Sequence, residues 1–366
     1  MNVLHVQKAK GIGGSERHLL ELLPALAAEG GWQRMLVLTA PGAGAFVGAL
    51  RGRGIEVDTY DAGSHLNPFT IAGISRAIRR HRPDLVHTHL VHADVYGQAA
   101  AKASRVPAVS TFHSVDPHYR RAPFRQAAAV AGRAARRTIC ISEHVRSFVV
   151  SKGIVPASKA KVVHYGIDIA SWDVAGAGRD ASRERFVVAA DELVVGIAAR
   201  LVPGKGHDVL FEAFRRARET VPELRLLVAG EGPERARLER SVPEGARLLG
   251  FVEDVPSFMA ACDVVAFPTL QGLDEGFGLA ALEAMACSRP VVASDIPALR
   301  EVLAGERTGF LFPPGDASAL HDALVRLSDP VLRKRSGEAA RSRAATEFSL
   351  AKMVEGTRSV YREALA

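Results

Sequence analysis

Three features of the sequence predict two α/β domains, each a parallel sheet with helices on both faces. Short runs rich in Val, Ile and Leu alternate with helical stretches along the whole chain, the order that parallel sheets require. Runs such as LRLLVAG are apolar on both sides, as a strand covered on both faces must be. Each half of the chain also opens in the same way, with a strand, a glycine-bearing loop and a helix. At 366 residues the chain is too long for one ordinary core, which fits two domains.

The elements follow in order. In the first half, NVLHV leads through GIGGS into the helical stretch SERHLLELLPALAAEG. RMLVLTA and IEVDTY come next, then a helix around IAGISRAIRRH, the strand DLVHTHL, a further helical run, AVSTFH and RRTICIS. The second half opens with LVVGIAAR, GKG and the helix HDVLFEAFRRARE. LRLLVAG, ARLLGF and DVVAFPT follow, then a helix within EGFGLAALE, then PVVASD, TGFLFPP and the helix DASALHDALVRLS. The stretch 171–190, with GAGRDASR, is the most linker-like, so the boundary is expected at 173/174. The domains are then 1–173 and 174–347, with 348–366 able to return to the first. Ligands are expected in the cleft that two facing domains make, at the carboxyl ends of the strands.

Composition narrows the class. Apolar residues make up 48% and charged residues 24%, as in soluble globular proteins. No apolar run approaches the ~18 residues of a spanning helix, and the start, MNVLHVQKAK, shows no secretory pattern. Cys140, Cys262 and Cys287 lie in apolar contexts and read as reduced core thiols of a cytoplasmic protein. The net charge of +7 is uneven: residues 1–173 carry 22 Lys and Arg against 12 Asp and Glu, the remainder 25 against 28. Arg120, Arg121, Arg125, Arg133, Arg136 and Arg137 cluster with no acid between Asp116 and Glu143. Such a cluster is either a solvated helix face or a surface for anionic partners, including an anionic membrane.

Four constellations carry chemistry. GIGG at 11–14 could hold a dinucleotide, but the second strand ends in Thr39, Ala40 and Pro41, with no acid for a ribose. What remains is a glycine loop, including Gly14, that brings backbone amides to an anion at a helix start. HTHLVH could supply two metal ligands, His87 and His89, yet the later strand ends offer no further set. One packed histidine and one lining the cleft is the expected arrangement. ARLVPGKGHD places Arg200 at a strand end and Lys205 just before a helix, a natural seat for a diphosphate. In EGFGLAALE, a helix starting near Gly276–Gly278 would present free amides, with Glu275 in the loop to accept hydrogen bonds from hydroxyls. Glu283 lies eight residues on, about 12 Å along a helix axis, where its carboxylate could take both hydroxyls of a ribose.

With these motifs in this order, the chain resembles the GT-B glycosyltransferases of the large retaining family 4 over most of its length. GGSE at 13–16 resembles the family's amino-terminal loop, HTHL and TFH its acceptor-side motifs, and HYGID at 164–168 its domain-closing turn. ARLVPGKG, AGEGP, LGFV and the E-x7-E helix follow. The resemblance implies that Arg200 and Lys205 neutralise the diphosphate, Glu275 holds the donor sugar and Glu283 the ribose. It also implies that Val252 and Leu279 position the nucleoside and that His113 lies beside the sugar. The catalytic set is then His113, Glu275, Arg200 and Lys205; Gly14, Val252, Gly276, Phe277, Gly278, Leu279 and Glu283 complete the donor site. Ser288 stands where the family usually has Gly.

The activity implied is retaining transfer of a hexose-type or N-acetylhexosamine sugar from a UDP- or GDP-linked donor. The acceptor is a glycan, a lipid-linked glycan or a small molecule, as in polysaccharide biosynthesis. Retention without a convincing nucleophile suggests front-face attack. No Asp-x-Asp occurs, so neither a metal nor a cofactor is expected, nor any nucleic-acid partner. An epimerase of the same fold, a silent nucleotide-sugar binder and a hydrolase built on His87 and His89 are the rival readings. The expected location is cytoplasmic, with the arginine cluster able to rest on the inner face of the membrane.

Overall fold

The computed structural model describes every residue except 64–66, 68, 116–118, 120, 173–176, 274, 306 and 307. Arg120 and the expected boundary at 173/174 therefore lie outside the described residues. Contacts divide the chain into two units. The first comprises Met1–Gly166 and Leu350–Ala366, together with Glu275, Gly276 and Phe277. The second comprises Ile167–Leu273 and Gly278–Ser349.

The first unit holds β1 (Val3–Ala9), β2 (Gln33–Thr39), β3 (Glu56–Asp61), β4 (Leu85–His89), β5 (Ala108–Phe112), β6 (Arg137–Cys140) and β7 (Ala160–Val162). All pairs are parallel, in the order β3-β2-β1-β4-β5-β6-β7. Helices α1 (Gly14–Ala28), α2 (Gly44–Gly52), α3 (Phe69–His81), α4 (Leu90–Ala103), α5 (Ala122–Ala134) and α6 (Glu143–Ser151) connect them. Alternate side chains explain why the strands are apolar on both sides. Leu4, Val6, Val86 and Ala108 pack on Ile74 and Ile78 of α3 and Ala100 of α4. Val3, Leu85 and Val109 face the other way, toward Leu22 and Leu26 of α1 and the carboxy-terminal helix Leu350–Leu365. That helix buries Met353, Val360 and Tyr361 in this core, and its Glu363 pairs with Arg137 and Lys161.

The second unit contains β8 (Leu193–Ala198), β9 (Leu224–Ala229), β10 (Ala246–Gly250), β11 (Val264–Phe267), β12 (Val291–Ser294) and β13 (Gly309–Phe312). They too are all parallel, ordered β10-β9-β8-β11-β12-β13. Its helices are α7 (Ala177–Arg185), α8 (His207–Thr220), α9 (Arg235–Glu239), α10 (Val255–Ala261), α11 (Leu279–Ala286), α12 (Pro297–Leu303), α13 (Ala317–Arg326) and α14 (Pro330–Glu347). Val195, Ile197, Leu226 and Val228 form its core with Phe211 and Phe214 of α8 and Leu320 and Leu324 of α13.

Much of the stretch that reads as a linker is helix α7. Asp263 holds it in place, accepting from Arg179 at 2.7 Å, Arg183 at 3.3 Å and the Val194 amide at 2.8 Å. A buried carboxylate is tolerable there because two guanidiniums and an amide satisfy it.

The three cysteines are free and buried. Among the described residues no helix is long and apolar enough to cross a membrane. Ser288 adopts φ +57° just after α11, where a non-glycine residue costs roughly 1 kcal/mol. Gly337 of α14 fixes that turn, because a Cβ there would lie 2.2 Å from the Ser288 carbonyl oxygen.

Candidate active site

In the second unit the strand order reverses between β8 and β11, the switch point at which α/β sheets bind ligands. The loops leaving these two strands are joined: the Leu270 amide donates to the Gly204 carbonyl at 2.7 Å. Gly206, at φ +72°, sits so close to the other loop that a Cβ would fall 1.8 Å from the Pro268 oxygen. Gly206 caps α8 and Gly278, at φ +96°, caps α11; neither cap supplies a side-chain acceptor. Both helix starts thus keep amides and a positive dipole end for an anion.

Arg200 is exposed beside these starts in sequence, and its guanidinium makes no hydrogen bond or ion pair among the described residues. Lys205 is half-buried in the same loop. Burial pushes the pKa of His207 down to about 4, so the first residue of α8 adds no charge at neutral pH. Glu283 is buried on α11. Val252, just beyond β10, and Leu279, at the start of α11, are half-buried.

The E-x7-E segment starts its helix where the glycines predict and leaves Glu275 in the loop, but its span along the axis is shorter than expected. Its helix begins at Leu279, so Glu275 precedes it and only Gly278 to Glu283 runs along the axis, about 7.5 Å. Glu275, Gly276 and Phe277 belong to the first unit, whereas Gly278, Leu279 and Glu283 belong to the second. Gly276 is tightly enclosed: its carbonyl accepts from Ser142 Oγ at 2.7 Å, and a Cβ would lie 2.8 Å from the His113 carbonyl oxygen. Phe277 is buried edge-on against Tyr165, with ring centroids 5.5 Å apart.

The first unit has its own switch point, between β1 and β4. Gly14 opens α1 there with open space where a Cβ would stand. The anion seat expected at this helix start is partly filled from within. Glu16 accepts from the Gly13 amide and from Ser15 Oγ, both at 3.0 Å.

Register brings His5 of β1 opposite His87 of β4, and Gln7 opposite His89, so all four point to one face. His87 and His89 are both fully buried, which corrects the expectation that one would line a cleft. Burial pushes the pKa of His5 down to about 4 and that of His113 to about 3. Burial likewise holds His18, His87 and His89 well below the usual imidazole value. His5, His87 and His89 offer ring nitrogens within 4.8 Å of one another, but hydrogen bonds occupy both nitrogens of each ring. His113 is equally committed, to His89 at 3.1 Å and to Tyr165 at 2.7 Å. Only HTH and TFH signal this cluster in the sequence; His5, His18, Gln33 and Tyr165 join it through the fold.

On the opposite face Asp94 accepts from Thr88 and Ser110 at 2.6 and 2.7 Å, and burial raises its pKa to about 7.

The arginine cluster is not one helical face. Arg121 caps α5, Arg125 and Arg133 lie on it, Arg136 follows it, and Arg137 belongs to β6 and is paired with Glu363.

Two parallel α/β units of this kind, with glycine-capped helix starts at a switch point, fit the GT-B class of glycosyltransferases. Residues 192–329 match the family described as "Glycosyl transferases group 1", and residues 12–171 match "Glycosyltransferase Family 4". The D-inositol 3-phosphate glycosyltransferase of Mycobacteroides abscessus is 31% identical, over 85% of this chain and 73% of that protein. The phosphatidyl-myo-inositol mannosyltransferase of Mycobacterium leprae is 29% identical, over 88% of this chain and 86% of that one. HepE of Anabaena, solved with UDP, superposes with a TM-score of 0.86 at 25% identity, over 99% of this chain and 100% of that one. The chain belongs to the group 1, family 4 glycosyltransferases.

Proposed function

We propose that this glycosyltransferase moves a hexose-type sugar from a UDP- or GDP-linked donor with retention and without a metal ion. The observation that carries this reading is the switch point of the second unit. Arg200, Lys205 and two uncapped helix starts are gathered there in one pair of joined loops. The diphosphate takes the amides and the two cations, and Glu283 takes the ribose hydroxyls. Val252 and Leu279 flank the nucleoside. Glu275, Gly276, Phe277, His113 and Gly14 serve the sugar and acceptor side. HepE with bound UDP supports the nucleotide, and the named relatives support an acceptor that carries a phosphate.

In the reaction the bond from the sugar C1 to the diphosphate oxygen breaks, and its electron pair leaves with the nucleoside diphosphate. The acceptor hydroxyl bonds to C1 from the same face and passes its proton to the departing phosphate oxygen. Arg200 and Lys205 stabilise the charge that grows on that leaving group, the part a cation plays elsewhere.

The two glutamates separate binding from transfer. Glu283→Ala is expected to weaken free nucleoside diphosphate binding at least tenfold, because the ribose is part of that ligand. Glu275→Ala is expected to leave this affinity within about twofold and to depress transfer. Calorimetric titration of both variants checks this, and equal losses in the two would contradict the division.

Arg121, Arg125, Arg133 and Arg136 are proposed to meet an anionic surface at about 1 kcal/mol per residue. Co-sedimentation with vesicles containing anionic lipid is expected at low salt and should fade by ~0.5 M salt. Equal sedimentation with neutral vesicles, or no loss in Arg121→Ser/Arg133→Ser/Arg136→Ser, would contradict it.

A further inference from the structure

A buried chain of hydrogen bonds runs through the first unit from Gln33 to Tyr165, and its direction is fixed at one end. Gln33 Nε2 donates to the Met1 carbonyl at 3.3 Å, which turns its Oε1 toward His5 Nε2 at 3.0 Å. An amide oxygen only accepts, so His5 carries its proton on Nε2. A neutral imidazole has one such proton, which leaves His5 Nδ1 bare to accept from His89 Nε2 at 3.1 Å. His89 Nδ1 is then bare and accepts from His113 Nε2 at 3.1 Å. His113 Nδ1 in turn accepts from the Tyr165 hydroxyl at 2.7 Å. All three rings are neutral at physiological pH, since burial lowers each pKa.

His87 supplies the contrast. It lies between the hydroxyls of Tyr361 and Thr111, each at 2.7 Å, and a hydroxyl can donate or accept. Nothing fixes its tautomer. In the chain, only Gln33 lacks that freedom, so it decides the polarity of every link.

The backbone adds an independent sign that His89 is deliberately aimed. Leu90, the next residue, holds φ +67° at the junction of β4 and α4. Such a conformation costs a leucine roughly 1–2 kcal/mol, and strain of this kind gathers at functional sites.

We propose that Gln33 and His5 are positioning residues for the transfer reaction, fixing His113 through His89 as the Nε2–H tautomer. Both ring nitrogens of His113 are then committed within the protein. His113 shapes the site by a fixed ring and carbonyl and carries no proton to or from a substrate. The effect on turnover rests on the donor reading above, whereas the tautomers do not.

Nitrogen-15 NMR of the intact chain labelled at histidine reads the tautomers directly, because protonated and bare ring nitrogens resonate far apart. His5, His89 and His113 should all show protonated Nε2 and bare Nδ1 at pH 7.5. Gln33→Leu removes the acceptor and should populate the other tautomer at His5, His89 and His113, with a fall in kcat at unchanged donor KM. Gln33→Glu keeps an acceptor oxygen and should restore the wild-type pattern. A protonated Nδ1 on any of the three in the wild type would overturn the proposal, whether or not Gln33→Leu folds. So would wild-type tautomers in a folded Gln33→Leu. Wild-type protein that turns over no nucleotide sugar would instead count against the donor reading alone.

Discussion

Replacing Arg200 or Lys205 with alanine is expected to lower turnover by roughly 10²–10³-fold, the scale of a lost transition-state donor. Charge grows on the diphosphate only as the bond to the sugar breaks, so these cations act on kcat more than on assembly. The melting temperature should barely move. Arg200 is exposed, its guanidinium without a partner among the described residues, and Lys205 is half-buried in a loop whose backbone bonds survive the change. Nucleoside diphosphate release, assayed with an identified donor, checks the first expectation, and calorimetry the second. Near-wild-type turnover in either variant would show that the leaving group is served elsewhere.

Acidification is expected to unfold the first unit before the second. His5, His18, His87, His89 and His113 are all buried there with folded pKa values lowered by burial. A lowered imidazole pKa means that the stabilisation is fully present above the unfolded value of about 6.5. It is lost as pH falls from there toward the folded values, because the unfolded chain takes up the protons first. At pH 5 His5 and His113 then each cost about 2 kcal/mol, and His18, His87 and His89 act in the same direction, against a total stability of roughly 5–15 kcal/mol for a typical domain. In the second unit His207 is the only histidine with a lowered value among the described residues. Scanning calorimetry at pH 7.5 and pH 5 should therefore show one transition collapsing well ahead of the other. A melting profile unchanged between these pH values would mean that the imidazoles gain protons within the fold.

The strands were the most legible part of the chain, because burial on both faces leaves runs that are apolar throughout, as in LRLLVAG and LVVGIAAR. The loop carrying Arg200 and Lys205 was legible for a related reason: a buried strand, two glycines and a helix leave little choice of geometry. Helix α7 was hidden by composition. GAGRDASR has almost no apolar face, and its anchor, Asp263, lies some eighty residues away. In the E-x7-E segment the glycines marked the helix start, and Gly278 in its left-handed conformation does cap α11 with Glu275 in the loop before it; only the span along the axis is shorter than eight helical residues would give. The six arginines looked like one surface until β6 claimed Arg137 for a pair with Glu363. The histidine cluster could be read only in part. HTH marks one strand, but the partnership with His5 and Gln33 depends on which strands are neighbours and in what register.

The diphosphate assignment is tested most directly by titrating the wild-type chain and Lys205→Ala with UDP and GDP in excess EDTA. One of the two nucleotides should bind the wild type with the chelator present, and Lys205→Ala should bind it at least tenfold more weakly. Binding that appears only when magnesium or manganese is restored, or that is indifferent to Lys205, would contradict the assignment.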